Sequence, residues 1–330
     1  MNKKILVTGA TGFMGHLLVQ ELISQGNSVR ILVRDKASAE QLFGDTCEIR
    51  VGDITKPETL SKICKNIDVV FHLAALMGHD SPSVQAFTRF RLVNVQGTKN
   101  MVYQCKLEKI KRFIYISSTA AMGLAKQPII NEQSECNPFT PYQVSKYESE
   151  QYLLQEWQKN SFPVIILRPS MVYGPGFKGD FLTLAKLCKT GFFPTIGKGK
   201  NLSPALFISD LIKGLLLFIE KGKVGEIYLL SSEESYSLHE KASIIANCLN
   251  KKIIFIYTPK FIMILCSTVL EILFSCAKKH PPVTRRNINS IVTDRIIDIK
   301  KAKRLGFNPV VSLKEGLTKT IHYFLEQHYL

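Results

Sequence analysis

The sequence predicts an α/β protein, a doubly wound parallel sheet with a smaller, mostly helical C-terminal lobe. Three observations predict it. Short β-rich runs alternate with longer helical stretches through about residue 170. Most of those runs are apolar without alternation, as strands covered on both faces are. A glycine-rich turn stands between the first run and the first helix.

Taken in order, the runs are Ile5–Thr8, Val29–Val33, Glu48–Val51, Val69–Leu73, Phe113–Ile116 and Val164–Leu167. Amphipathic segments such as His16–Gln25 and Tyr142–Lys159 lie between them, and strands alternating with helices imply parallel pairing. After Pro169 the rhythm is broken by Tyr173-Gly174-Pro175-Gly176 and Gly197-Lys198-Gly199-Lys200, and helical segments follow. The expected division is therefore a nucleotide-binding unit over 1–172 and a substrate lobe over 173–330. A segment near 205–230 returns to the first unit, its strand at Ile227–Leu230.

The bulk properties narrow the function. Hydrophobic residues make up 45% and charged residues 21% of the 330, enough apolar mass for a proper core. The net charge of +16 comes from 43 Lys and Arg against 27 Asp and Glu. These basic residues are scattered, with no basic block interleaved with aromatics, so nucleic acid is not an expected partner. The eight cysteines contain no Cys-x-x-Cys pair, which argues against a zinc site or a disulfide framework and for a reducing, cytoplasmic setting. The start of the chain runs directly into a strand, leaving no room for a signal peptide. The stretch 261–277 is almost wholly apolar, broken by Glu271 and bracketed by Lys260 and Lys278-Lys279. It is at the short edge of a membrane span and carries a charge, so it reads as a buried or surface-docking helix able to lie on a membrane. The expected partner is a small-molecule substrate. A second copy of the chain (a homodimer) and a membrane surface met through 261–277 stay open.

Gly9-Ala10-Thr11-Gly12-Phe13-Met14-Gly15 follows the first strand and opens a helix. Glycines there permit a tight turn, close approach of backbone to a pyrophosphate and tight helix–strand packing, while the helix N-terminus offers free N–H groups. In that context the turn reads as the phosphate loop of a dinucleotide-binding Rossmann unit rather than as a plain connection. The second strand ends in Val33-Arg34-Asp35-Lys36. An acidic group there suits a free ribose hydroxyl and an Arg suits a 2′-phosphate. Arg34 and Lys36 favour NADP(H), Asp35 keeps NAD(H) open, and both basic side chains facing water is the bland alternative.

Tyr142-Gln143-Val144-Ser145-Lys146 begins a helix after Pro141, and a spacing of four puts Tyr142 and Lys146 on one face. An unperturbed phenol titrates near pH ~10, too high for acid–base work at neutrality. A neighbouring ammonium and an oxidised nicotinamide favour the phenolate, and making the phenol tenfold more acidic takes about 1.4 kcal/mol of such stabilisation. Ser117-Ser118-Thr119 ends the apolar run at Ile116, where open sheets bind ligands beyond the strands' carboxyl ends. A hydroxyl there can hold a substrate oxygen against the phenol, and a helix cap is the alternative use for one of the three.

With these residues in place the chain resembles the extended short-chain dehydrogenase/reductase family, also called the NAD-dependent epimerase/dehydratase family. The resemblance runs through Val7–Gly15, Val51-Gly52-Asp53-Ile54, Phe71-His72-Leu73-Ala74-Ala75, Val93–Thr98, Tyr115–Ser118, Tyr142 with Lys146, and Leu167–Gly176. It implies that Ser118, Tyr142 and Lys146 are catalytic, Ser118 because the family's hydroxyl precedes a Gly by five, here Gly123, with Thr119 as the fallback. It also implies that Asp53 contacts the adenine with Ile54 beside it, that Leu73, Ala74 and Ala75 line the cofactor channel, and that Pro169 and Val172 approach the nicotinamide. Asn94 is similar to a family Asn that steadies the active-site helices.

Sugar-nucleotide members carry an Asn where this chain reads Ser170-Met171, and an Arg where it reads Asn201–Phe207. Gly197–Asn201 with Phe207–Asp210, the apolar stretch after Lys260 and the Pro281–Arg285 stretch look more like the 3β-hydroxysteroid dehydrogenase and dihydroflavonol reductase branch. The expectation is an NAD(P)-dependent oxidoreductase acting on an apolar alcohol or ketone. A nucleotide-sugar epimerase or dehydratase is the alternative, and a non-catalytic dinucleotide-binding protein a distant third.

Overall fold

Apolar runs too short for helices and punctuated by turns fold as strands, and the longer amphipathic stretches between them coil back over the sheet. The computed structural model describes residues 3–78, 80, 82–124, 127–276, 281 and 284–330. In chain order β1 (Lys4–Thr8), α1 (Phe13–Ser24), β2 (Ser28–Val33), α2 (Lys36–Phe43), β3 (Glu48–Val51) and β4 (Val69–His72) come first. Next are α3 (Val84–Phe90), α4 (Gly97–Leu107), β5 (Arg112–Ile116), β6 (Ile129–Ile130), α5 (Pro141–Asn160), β7 (Val164–Pro169) and β8 (Met171–Tyr173). Then follow α6 (Asp180–Lys189), β9 (Phe192–Ile196), β10 (Leu202–Phe207), α7 (Ile208–Lys221), β11 (Ile227–Leu230), β12 (Ser235–Ser237) and α8 (Leu238–Cys248). The described chain ends with β13 (Ile254–Thr258), α9 (Lys260–Cys276), α10 (Arg285–Val292), β14 (Ile296–Ile297), α11 (Lys300–Lys303) and α12 (Leu313–Glu326).

Seven strands form one parallel sheet in the order β11-β7-β5-β4-β1-β2-β3. Alternate residues of these strands feed two different cores. Ile5, Val7, Ile31, Phe71, Ile114 and Leu167 pack on one face, and Leu6, Leu32, Val70, Phe113 and Ile166 on the other. Because both faces are covered, both sets are apolar, which is why the runs show no alternation. β3 is the exception: it is an edge strand and three of its four residues are exposed. The order reverses between β1 and β4, so a crevice opens at their carboxyl ends, between Gly9 and Leu73.

Ile227–Leu230 returns to this sheet as its outer strand, in register with Ile166–Pro169. The rest of the second half is helices with three small sheets: β12-β10-β8, β13-β9, and β14-β6. The apolar stretch after Pro259 is α9, and among the described residues no helix is long and apolar enough to cross a membrane. Ala277, Lys278-Lys279 and Pro282-Val283, which figure in the expectations above, lie outside the described residues.

Candidate active site

The glycine turn closes on itself. Gly12 N–H donates to the Gly9 carbonyl at 3.1 Å, and Gly9 has φ +74°, a conformation that disfavours side chains. A Cβ on Gly9 would stand 2.8 Å from the Ala74 nitrogen, and one on Gly15 would stand 2.1 Å from the Gly9 oxygen. The turn can therefore press against the Leu73-Ala74 segment only with glycine at these places. No described side chain caps α1, and its first turn carries no acidic residue, so its N-terminal N–H groups and positive dipole end face outward. Thr11 and Gly12 are exposed, and Phe13 and Met14 are half-buried. Phe13 stacks on Phe177 at 5.0 Å, so the segment after β8 walls the same crevice. This cradle fits a dinucleotide pyrophosphate.

Leu73, Ala74 and Ala75 are half-buried along the opposite lip. Pro169 is buried at the end of β7 and Val172 is half-buried in β8. At the adenosine end, Arg34 is exposed at the close of β2, and its charge reaches Asp53, whose carboxyl lies below its ordinary value. Desolvation works against that lowering, and hydrogen bonds from the Thr55 N–H and hydroxyl, both 2.8 Å, together with the Arg34 and Lys56 charges outweigh it. Asp35 is spent on structure: its two oxygens accept from Ala37 N–H and the Ser38 hydroxyl as the cap of α2. Lys36 pairs with Glu40 at 3.0 Å on the surface. The Ile54 side chain is buried, and its carbonyl accepts from Asn100 at 2.7 Å. Its Cβ and outer carbons are what a side chain on Gly97 would strike. Ile54 thus packs against the start of α4 directly after Asp53.

The catalytic helix starts where the sequence asks it to. Thr140 and Gln143 cap each other's backbone and Pro141 fills the first turn. Tyr142 packs edge-on against Phe90, and the Ser118 hydroxyl lies near enough to its phenol to favour the phenolate. Ser118 also accepts from Ala120 N–H at 3.1 Å, so it caps the short helical turn Thr119–Met122 as well. Lys146 is buried on the same face of α5. Its Nζ donates to the Ile116 carbonyl at 2.7 Å and to the Tyr115 hydroxyl at 3.3 Å. Ser118, Tyr142 and Lys146 therefore meet at the carboxyl end of β5.

The protein's own groups hold the phenol above its ordinary value: burial pushes Tyr142 up to about 12, with the Ser118 hydroxyl opposing only part of it. Lys146 gives its hydrogen bonds to Ile116 and Tyr115, and burial brings its own value down to about 7 against the pull of Glu150. Two neutralising tendencies thus face each other across one helix turn.

Several residues behind the site were not singled out from the sequence. Glu150, one turn beyond Lys146, takes a two-point ion pair from Arg168 at 2.9 and 2.6 Å, and also accepts from the Ser117 hydroxyl. Burial works to lower Arg168, and the Glu150 carboxylate overrides it, so the guanidinium stays charged. His72 bridges Thr8 at 2.8 Å and Thr98 at 3.1 Å, and burial with the nearby Lys146 charge drives it down to about 3, a neutral ring. Asn94, which the resemblance does single out, binds both backbone groups of Leu76 and the Ser145 hydroxyl, tying α5 to the loop after β4. The extra spacing of four from Lys146 to Glu150 was the available signal. Nothing local in the sequence points to His72 or to Arg168 as its neighbours' partner.

Comparison with known proteins agrees with this geometry. A family model described as NAD dependent epimerase/dehydratase family matches residues 5–231. The chain is 31% identical to a UDP-glucose 4-epimerase from Vibrio cholerae, across 99% of this chain and 97% of that protein. It is 26% identical to an N-acetyl-alpha-D-glucosaminyl-diphospho-ditrans,octacis-undecaprenol 4-epimerase from Escherichia coli O157:H7, across 98% and 96%. The crystal structure of UDP-glucuronic acid 4-epimerase from Bacillus cereus in complex with NAD superposes with a TM-score of 0.80 at 25% identity, covering 99% of this chain and all of that one. The chain is an NAD(P)-dependent enzyme and belongs to the NAD dependent epimerase/dehydratase family.

Proposed function

We propose that this enzyme acts on a hydroxyl-bearing carbon of a diphosphate-linked sugar, as an epimerase or dehydratase. The observation that carries the reading is the meeting of Ser118, Tyr142 and Lys146 beside the glycine cradle. Bound there, a nicotinamide supplies reversible hydride acceptance and, when oxidised, a positive ring charge. Tyr142 takes the proton of the substrate hydroxyl and later returns it, while the Ser118 hydroxyl holds that oxygen. For Tyr142 to act near neutrality its phenol must descend from about 12, and added positive charge beside it works in that direction. Lys146, anchored at the Ile116 carbonyl, would hold a nicotinamide ribose hydroxyl with its remaining protons.

The sugar-diphosphate reading draws on two supports. Two relatives above act on sugars carrying a diphosphate, and a cavity of about 340 Å³ is lined by Lys198, Lys200, Asn201 and Lys260, with Asp294 as its acidic member. That cavity opens ahead of β10, whose neighbour β8 continues from the end of β7. The apolar-ketone reductase expected from sequence becomes the second reading. It retains the exposed Met171 and the Arg-free stretch Asn201–Phe207, both departures from sugar-nucleotide members. For the dinucleotide, the exposed Arg34 beside Asp53, with Asp35 engaged in its cap, supports NADP(H). The B. cereus structure, in which NAD is bound, supports NAD(H).

The deciding experiment incubates the purified enzyme with UDP-glucose, UDP-N-acetylglucosamine and a medium-chain 3-oxo acid, each with either dinucleotide. Conversion of a sugar nucleotide without net change in nicotinamide absorbance supports the proposal. Stoichiometric cofactor oxidation with the ketone, and inert sugars, establishes the second reading instead.

A further inference from the structure

We propose that the outer face of α9 and of the β9–β13 ribbon is a docking surface for an anionic lipid bilayer. The proposal stands independently of the reaction assigned above. At about 100° per residue, Phe261, Ile272, Leu265, Val269, Ile262 and Leu273 fall within an arc of about 120° on α9. All six are between 39% and 70% exposed. The charge within the helix is turned away from them: Glu271 lies outside the arc and is paired with Arg285, at 2.8 Å to both its N–H and its Nε. Buried Ser267 marks the side of α9 that packs on the protein.

The ribbon that precedes α9 in the chain carries an exposed apolar face of its own. Phe192 sits opposite Ile254 in register and Pro194 opposite Ile256, so these side chains share one face of the two strands. Phe192, Ile254 and Ile256 are each about half exposed, whereas Phe193 and Phe255 pack against each other on the other face. Only Pro259 separates the ribbon from α9. Exposed apolar residues gathered on one face of an element, rather than scattered singly, mark an interaction site.

Charge selects the occupant. No acidic residue occurs from 181 to 209 or from 241 to 270, the two segments that build the ribbon and most of α9. Exposed Lys198, Lys200, Lys251, Lys252 and Lys260 come from these segments. Apolar side chains bordered by lysines, with the chain at net +16, complement a surface whose interior is hydrocarbon and whose headgroups are negative. The helix lies along such a surface and does not cross it.

The test is co-sedimentation of the full chain with phosphatidylcholine vesicles, and with vesicles in which about a third of the lipid is phosphatidylglycerol, at low and high salt. The expected result is binding to the anionic vesicles that weakens with salt. Phe261→Ser/Leu265→Ser/Ile272→Ser should cut that binding at least about tenfold. Lys251→Gln/Lys252→Gln should cut it about fivefold per charge removed. Unchanged dinucleotide affinity and unfolding midpoint in both variants exclude a folding failure, and a more conservative Leu265→Ala/Ile272→Ala pair replaces the triple if it misfolds. Wild-type protein that stays in the supernatant with both vesicle types overturns the proposal. So does a stable dimer that the apolar substitutions dissociate and that binds no vesicles, since a second copy would then cover the face.

Discussion

Glu150 and Arg168 form a two-point ion pair of 2.9 and 2.6 Å with both side chains withdrawn from solvent. The pair joins α5, which carries Tyr142 and Lys146, to β7, whose end leads to Pro169. Removing one partner strands a charge in a low-dielectric interior, which is far costlier than removing both. Arg168→Met should therefore destabilise the protein by roughly 3–5 kcal/mol. Arg168→Met/Glu150→Leu should recover more than half of that loss in urea unfolding. A double variant as unstable as the single one would show that the pair is not the source.

Tyr142→Phe should lower kcat by at least about a hundredfold while leaving dinucleotide affinity within about twofold, because only the ionisable oxygen is lost. Ser118→Ala should cost less, about tenfold to a hundredfold, since the phenol keeps its place against Phe90. Single-turnover kinetics with matched dinucleotide titrations read both. Full activity in the Phe variant would take Tyr142 out of the reaction.

Lys146 makes folding stability depend on pH. Its value falls from 10.5 in the unfolded chain to about 7 in the fold, so between those values the unfolded chain binds the extra proton. Stability must then rise with pH across that window, and the full burial penalty remains below it. From pH ~7 to ~9 the contribution is up to about 2–3 kcal/mol. Tyr142 acts oppositely, contributing stability that is lost as pH climbs from 10 through about 12, so the comparison stops at pH ~9. Lys241, buried and lowered to about 8, adds to the rise in both proteins. The slope difference between wild type and Lys146→Met, from urea unfolding of dinucleotide-free protein, isolates Lys146, and equal slopes would contradict the assignment.

Arg34→Ala should weaken NADP(H) about tenfold or more and NAD(H) by less than twofold, measured by fluorescence titration, if the guanidinium meets a 2′-phosphate. Equal losses for both dinucleotides would count against that preference.

The strands, the glycine turn and the four-residue spacing of Tyr142 and Lys146 were legible in the sequence because each is a local pattern. Periodicity of 2 or 3.6, a glycine where backbone must crowd, and a proline in a first helical turn act within a few residues. Glu150 shows where that kind of reading stops. Its place one turn beyond Lys146 is local, but its partners Arg168 and Ser117 reach it only through chain folding back on itself.

The protonation states were likewise beyond reach. From sequence, Lys146 lies one turn from Tyr142 and should draw the phenol down. In the fold, Ile116 and Tyr115 take the ammonium's hydrogen bonds and burial raises the phenol. The sequence by itself determined which residues can carry the chemistry and the order of strands and helices that presents them, since these follow from side-chain type and near-neighbour spacing. Only the tertiary structure decided what those residues face, which charges are paired and which apolar surface of α9 stays uncovered. Burial and distance between remote segments set solvation and electrostatic energy, and neither quantity exists until the chain has packed.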